Sequence, residues 1–376
     1  MPVKGDVPWK RDEHTGAKHD IYRRYLERWF PILLNRRSKP WPSVTYAEGF
    51  SGPGIYSGGE FGSPIVAIKA LTSQVPADKG VARIIFVDDD KRCTDLLNET
   101  LIKAFPERPR SEDAMPVKVV TGTCKDHLEA ALDGMHAWGK PIFANLDSWG
   151  NAPIPYRLLK RLATNVSSEV IVTFFPQHFV RFVSDMGEAG DELFGGDPTW
   201  RTVTDLAPAA KSRHILTCYR QTLKTAGFKY LLDFELVPRH GQPLYLVFGT
   251  GHPLGVQKMK DSLWEVDPVQ GVGFRDPRDE QAETLFDIDE PILGPLTRLL
   301  ERKLRENGPT SVQDLRTFTL FETVYRPEHV IRSLGPLLER GIIRTEDDRP
   351  LKIRSLVRHT STPSDPRAEA AVDAPS

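Results

Sequence analysis

Cysteine is scarce in this chain: Cys93, Cys124 and Cys218 are the three in 376 residues. None forms a C-x-x-C pair or lies at metal-like spacing from histidine, which argues against a zinc site and a disulfide framework and suits a reducing compartment. No metal is expected. Long apolar runs are missing too. Nothing approaches the roughly 18 apolar residues of a membrane span. The opening MPVKGDVPWKRDEH has no apolar core such as a secretory leader needs. A surplus of either charge is also absent: 50 Lys and Arg face 51 Asp and Glu, a net charge of -1. No global basic field points to nucleic acid, so any such contact has to come from a local patch. These absences leave a soluble, cytoplasmic protein as the expectation, long enough for a full α/β domain and a smaller companion.

What the chain does have is a glycine-rich block at residues 44–64, VTYAEGFSGPGIYSGGEFGSP. Val44 and Tyr46 mark a short strand, Glu48 its end, and Gly49, Gly52 and Gly54 a loop in which missing side chains let backbone amides approach a ligand. Ser63 reads as a helix N-cap and Pro64 as the first helical residue, ahead of Ile65, Val66, Ile68 and Leu71. Strand, glycine loop and helix in that order hold nucleotide-like ligands, although a G-x-G after a strand is as often an ordinary turn.

Upstream, residues 1–17 read as a polar lead-in. Ile21, Tyr25, Leu26, Trp29, Phe30 and Leu33 predict an amphipathic helix from Lys18, with Lys18, Arg23, Arg24 and Arg28 on its other side. Downstream, strands and helices alternate. Residues 82–87 form an apolar run ending in Asp88, Asp89 and Asp90, and 117–120 lead to Gly122, Thr123 and Cys124. Residues 141–146 lead to Asp147, Ser148, Trp149 and Gly150, and 170–175 to Gln177 and His178. Repeated β-α units predict a parallel, doubly wound sheet. A helix over 212–226, a strand over 231–237, a tight RHGQ turn and a strand over 244–249 close it with a β-hairpin. Nicotinamide-binding Rossmann domains do not usually end this way. The seven-stranded S-adenosylmethionine-dependent methyltransferase fold does, and the element order resembles it; fold alone does not fix function.

Four blocks, KHDIYRRYLERW, YAEGFSGPGIYSGGEFGSPIVAIKAL, FANLDSWG and YLVFGTGHPLGVQKMKDSLW, together resemble the three-Cys-motif partner protein family. The resemblance covers residues 9–350 and is most specific in the glycine block. It implies a fold similar to class I methyltransferases, S-adenosyl-L-methionine as cofactor, and a partner protein, encoded nearby, that carries the three-cysteine motif. The cysteines of that name belong to the partner. The organisation expected is a lead-in and amphipathic helix (1–43), a Rossmann-like methyltransferase domain (44–265), a linker (266–290), a winged-helix-like domain (291–358) and a disordered tail (359–376).

Where the superfold's first strand usually ends in aspartate, this chain has Glu48, one methylene longer. Glu48 is expected to meet the cofactor's methionine ammonium, with backbone amides from Phe50 through Gly52 to Gly54 near its carboxylate; a solvated strand-end acid is the alternative. Asp88 suits the ribose hydroxyls. Thr123 and Cys124 occupy the position that often touches the adenine, or are plain loop residues. Asp147-Ser148-Trp149-Gly150 is the candidate acceptor site. Asp147 would accept from the target amine, freeing its lone pair to attack the methyl group, and Trp149 would stack on a planar substrate such as a nucleobase. The family tends toward Asp-Pro-aromatic-Gly, so Ser148 replaces the usual proline. Alternatively, Asp147 caps the helix after Asn151 and Trp149 fills a core gap. His178 is a further candidate base or a structural histidine.

Beyond residue 291 the pattern changes. Leu293, Leu296, Leu299, Leu300 and Leu304 predict one helix, Val312, Leu315 and Phe318 a second, and residues 327–341 a third. Ile342-Ile343 and residues 351–353 then bracket an acidic turn, giving a winged-helix pattern. Arg326, Arg332, Arg340, Arg349, Lys352, Arg354 and Arg358 suit phosphates, whereas Glu346, Asp347 and Asp348 would repel them, so nucleic-acid and protein docking both stay open. From Thr360 the composition predicts disorder. Two functions remain: a methyltransferase for a planar amine, or a catalytically silent module that kept the fold and binds a partner or nucleic acid.

Overall fold

A computed structural model describes residues 5–35, 41–107, 109–148, 150–151, 153–238, 243–275, 290–346 and 349–360. In the first of its two compact units the apolar runs form β1 (Ser43–Glu48), β2 (Val81–Asp88), β3 (Val117–Thr121), β4 (Ile142–Leu146), β5 (Glu169–Phe174), β6 (Tyr230–Val237), β7 (Leu244–Thr250) and β8 (Gly273–Arg275). They make one eight-stranded sheet in the order β3-β2-β1-β4-β5-β7-β6-β8. Strands β1 to β5 are parallel, and β7 lies antiparallel between β5 and β6. This is the mostly parallel sheet with a closing hairpin that the sequence predicts for a Rossmann-like methyltransferase fold. The RHGQ turn lies outside the described residues. The added strand, β8, comes from the 266–290 stretch read as a linker; it runs parallel to β6 and covers an edge that would otherwise present unpaired backbone groups.

Side chains alternate along the strands between two cores, as the pleat requires. Val44, Tyr46, Ile84, Phe86 and Phe143 face a core shared with α1 (Glu13–Leu34), α2 (Ser63–Gln74) and α8 (Pro253–Val266). Ala47, Ile85, Val87, Ala144 and Leu146 face the core of α4 (Cys124–Gly134), α5 (Tyr156–Thr164), α6 (Pro176–Leu193) and α7 (Pro208–Ala226). Helix α3 (Lys91–Ala104) follows β2, and a 3-10 helix (Pro198–Asp205) links α6 to α7. The sequence reading left α6 as the residues after a strand; its N-terminal Pro176 and the backbone break at Gly187 obscure its periodicity.

Helix α1 corrects the sequence reading in one respect. It begins at Glu13, and Lys18 falls at helical spacing with Tyr22, Tyr25 and Trp29 on the buried face, only 8% exposed. Arg23, Arg24 and Arg28 stay at the surface, paired with Asp20, Glu27 and Glu265.

A buried acid joins three distant pieces of chain. Glu169, at the start of β5, accepts from Tyr25 Oη of α1 at 2.5 Å and from Thr250 Oγ1 of β7 at 2.8 Å. Burial pushes its carboxyl up to about 7, although both hydroxyls favour the anion. The native state therefore holds a proton that the unfolded chain has already lost, and stability falls as pH rises through the window from the ordinary carboxylate range to about 7. Urea melts across this window should show a Glu169→Gln variant lacking on the order of 3 kcal/mol of the wild-type decline. An unchanged slope would place the native proton elsewhere.

The second unit contains α9 (Gly294–Asn307), β9 (Thr310–Ser311), α10 (Val312–Glu322), α11 (His329–Glu339), β10 (Ile343–Thr345) and β11 (Leu356–His359). Its strands form an antiparallel sheet in the order β10-β11-β9. Leu296, Leu300, Leu304, Leu315, Val330, Leu334 and Val357 are buried. The last strand lies later than the predicted 351–353. Val357 and His359 are buried in alternation, whereas Ile353 is 47% exposed and offers no core face. Asp347, Asp348 and the tail from residue 361 lie outside the described residues.

Candidate functional site

Three neighbouring parallel strands end in acids. Asp88 closes β2, Glu48 closes β1, and Asp147 follows β4 by one residue, in the spatial order β2-β1-β4. Strand spacing of about 4.8 Å sets their carboxylates in a row. The helices after β1 and β4, α2 and α5, pack on opposite faces of the sheet, which makes this the topological switch point where open α/β sheets bind ligands.

The glycine loop folds back over the strand ends. Gly49 N donates to Asn145 O at 3.1 Å, Ser51 N to Val87 O at 2.9 Å, and Gly52 N to Asp88 Oδ2 at 2.8 Å. A Cβ at Gly49 would lie 2.6 Å from Cys124 Sγ; at Gly54, where φ is +72°, it would lie 2.6 Å from Leu97 Cδ1. Neither position admits a side chain without displacing a buried neighbour. Phe50 packs partly buried against the α4 to α7 core. Trp9 lies over Gly52 and edge-on to Tyr56, 6.4 Å between ring centroids, and its carbonyl accepts from Ser57 N, so the lead-in crosses the loop.

The three consecutive aspartates divide their work. Asp88 takes Gly52 N and, through Oδ1, Asp90 N at 3.0 Å. Asp90 caps α3 through Arg92 N, and Asp89 is exposed. Burial raises the Asp88 carboxyl despite its two backbone donors.

Glu48 is 1% exposed and is not a solvated acid. Tyr46 Oη and Ser63 Oγ each donate to it at 2.7 Å. Ser63 is thus not the N-cap that local grammar predicts; Gly62 holds that position without a side-chain bond, and the hydroxyl serves Glu48 instead. Burial dominates and pushes the Glu48 carboxyl up to about 8.

Asp147 is paired through Oδ2 with the Lys18 ammonium of α1. Their side chains are 16% and 11% exposed, so the pair opens slightly rather than being sealed. Burial alone would raise the Asp147 carboxyl, but the adjacent ammonium outweighs it and holds the acid below its usual range. Asp147 does not cap a helix: α5 starts at Tyr156 after Pro155, which makes no side-chain cap. Trp149 lies outside the described residues, and Ser148 is buried.

Thr123 is exposed, and its hydroxyl accepts from Asp126 N and donates to Asp126 Oδ2, capping α4. The Cys124 thiol sits beneath Gly49, where burial pushes it up to about 12. Its side chain therefore supports the loop and does not face a ligand. His178 lies on α6 beside Phe182, with ring centroids 5.0 Å apart, and is not among the groups gathered around Asp147. Those groups are Lys18, His19, Tyr22, Glu48, Tyr56 and Thr173. The sequence reading missed His19, Tyr22 and Tyr56 as site residues and placed Lys18 on the wrong face. A lysine spaced four residues before a buried tyrosine and seven before another was the available signal. His19 stays neutral, pushed down to about 3 by burial and by Lys18.

Among the described residues no cluster of acid, histidine or cysteine side chains could hold a metal, and no helix is long and apolar enough to cross a membrane. No protein-family model and no curated protein matches the chain. Solved structures do. Trm1 from Pyrococcus horikoshii, solved with S-adenosyl-L-methionine, is 12% identical over 70% of this chain and 61% of its own, with a TM-score of 0.39. The O-methyltransferase TomG from Streptomyces achromogenes, solved in complex with SAM, is 13% identical over 65% of this chain and 93% of its own, with a TM-score of 0.31. Spermidine synthase with the transition-state analogue AdoDATO is 7% identical over 73% and 72%, with a TM-score of 0.34. This chain thus spans about 61% of the length of Trm1. All three scores lie below 0.5, so function has to be read from the chain's own residues.

Proposed function

We propose that this chain is an S-adenosylmethionine-dependent methyltransferase acting on a planar amine, with a nucleobase the favoured acceptor. The observation that carries this reading is the row of Asp88, Glu48 and Asp147 on adjacent strand ends, beneath a loop in which Gly49 and Gly54 leave no room for a side chain. The residues suit the cofactor. Asp88 is positioned to accept from ribose hydroxyls. Glu48, buried with hydroxyl donors, suits a ligand ammonium, and the amides of Phe50 and Gly54 suit a carboxylate, since Pro53 has no N–H and those of Ser51 and Gly52 already donate to Val87 O and Asp88. An adenine ring on the far side of Asp88 would meet Thr123 through its backbone, because the Thr123 hydroxyl is committed to the cap. When bound, the cofactor supplies a methyl group already activated on a sulfonium. The chain's part is to hold Asp147 ionised, so that it accepts from the amine N–H and leaves the nitrogen lone pair aimed at the reaction.

The second unit has the helix and strand order of a winged helix, which supports a docking role for nucleic acid or protein. A three-cysteine-motif protein as partner is supported by the four sequence blocks alone. One observation favours a silent module instead: Lys18 already engages the carboxylate that an acceptor amine would use. Calorimetric titration with S-adenosylmethionine is the first test. Wild type should bind in the micromolar range, and Asp88→Ala should weaken binding roughly 10- to 100-fold through loss of charged hydrogen bonds. No binding by a folded wild type, with the partner also supplied, would exclude the enzyme reading.

A further inference from the structure

Resting on the methyltransferase reading, we propose that Lys18 and Asp147 act as one reader of the acceptor, selecting a neutral planar amine that carries a hydrogen-bond acceptor beside its N–H and excluding alkylammonium groups. Lys18 comes from α1 and Asp147 from the end of β4, 129 positions apart, and the fold brings them together at the switch point. Lys18 engages one oxygen, Oδ2. An ammonium has three donors and a carboxylate about four acceptor sites, so the pair can bond each other and still each take a partner. What it then presents is a donor beside an acceptor on one edge. Adenine offers the complement with its amino group and neighbouring ring nitrogen. Cytosine does so in the same way, and guanine with its amino group and the neighbouring ring nitrogen N3.

Charge supports the exclusion. The fixed positive charge of Lys18 balances Asp147, and His19 beside them is neutral. A lysine side chain or polyamine arriving here would meet the like charge of Lys18 at close range and compete with it for the carboxylate. Lys18 is thus a specificity-determining residue that also positions Asp147 by keeping it ionised.

The test uses the full chain and two probes, cytosine and n-butylammonium, with binding followed by NMR titration in wild type, Lys18→Met and Lys18→Arg. Wild type should bind cytosine and reject n-butylammonium. Lys18→Met should reverse the preference, gaining about tenfold or more for the cation, whose charge now replaces the missing partner, and losing cytosine by a similar factor. Lys18→Arg, which keeps donor and charge, should restore the wild-type order and serves if the methionine variant fails to fold. Labelled-methyl transfer to single-stranded nucleic acid against polylysine should follow the same order. Its acid limb should move to higher pH in Lys18→Met, because an unpaired Asp147 is harder to ionise. Binding of n-butylammonium by wild type, failure of wild type to bind cytosine, or an unchanged preference in Lys18→Met would overturn the proposal. Failure of S-adenosylmethionine to bind, with the probe preference intact, would count against the methyltransferase reading and not against the reader.

Discussion

In Asp147→Asn, methyl transfer is expected to fall about 10³-fold while the affinity for S-adenosylmethionine stays within about threefold of wild type. The amide keeps the shape of the carboxylate and can still accept one hydrogen bond, but it cannot hold the developing positive charge on the acceptor nitrogen. The groups proposed to hold the cofactor lie on β1 and β2, so binding should be spared. Stability should fall as well, by roughly 3 kcal/mol, because the Lys18 ammonium is left largely buried without its anion. The double variant Lys18→Met/Asp147→Leu separates the two effects. Denaturant melts should show most of the lost stability regained, since two apolar side chains pack where an ion pair stood, while transfer stays at background. An active double variant would remove Asp147 from the chemistry.

Cofactor affinity should also depend steeply on pH. In the free protein burial pushes Glu48 up to about 8, so it carries a proton at neutral pH. A ligand ammonium placed beside it favours the anion, and binding then releases that proton. The sign follows: affinity is greatest once pH has passed the free-state value of about 8 and is lost as pH falls below it. The measurement belongs below about pH 7.5, where an α-amino group is still protonated. Between about pH 5.5 and 7.5 the dissociation constant should tighten roughly tenfold per unit, close to a hundredfold in all. Calorimetry in buffers of different ionisation enthalpy should report close to one proton released. Glu48→Gln should bind more weakly and flatten the profile. A wild type with a flat profile would mean that Glu48 does not meet the ammonium.

Much of this was readable from the chain, for reasons that differ by element. Strands buried on both faces leave continuous β-branched and aromatic runs, so residues 82–87 and 170–175 announced themselves, and the order of the last elements gave the hairpin. Asp88 was readable as a strand-end acid because the apolar run stops at it, and the structure makes it the last residue of β2. Lys18 was misplaced because a charged residue on an amphipathic helix defaults to water, and its partner is on a strand 129 positions away. Local grammar assigned Ser63 to a helix cap; a tertiary demand, the buried Glu48, took its hydroxyl instead. The reach of β8 to the edge of β6 left no signal in so short a segment.

The placement of β7 between β5 and β6 also sets the order of assembly. Glu169 can meet Tyr25, made 144 positions earlier, but must wait for Thr250, 81 positions later. As the chain is synthesised, β1 to β5 can align from their own β-α units, but β5 keeps an open edge and a half-bonded acid until residue 250 has emerged. During synthesis the capture of β7, a long-range closure, thus comes after the strands of the parallel half have emerged. Until then β5 is the edge where one nascent chain can seize another, so the same strand order that finishes the sheet makes its middle the last place to become safe from aggregation.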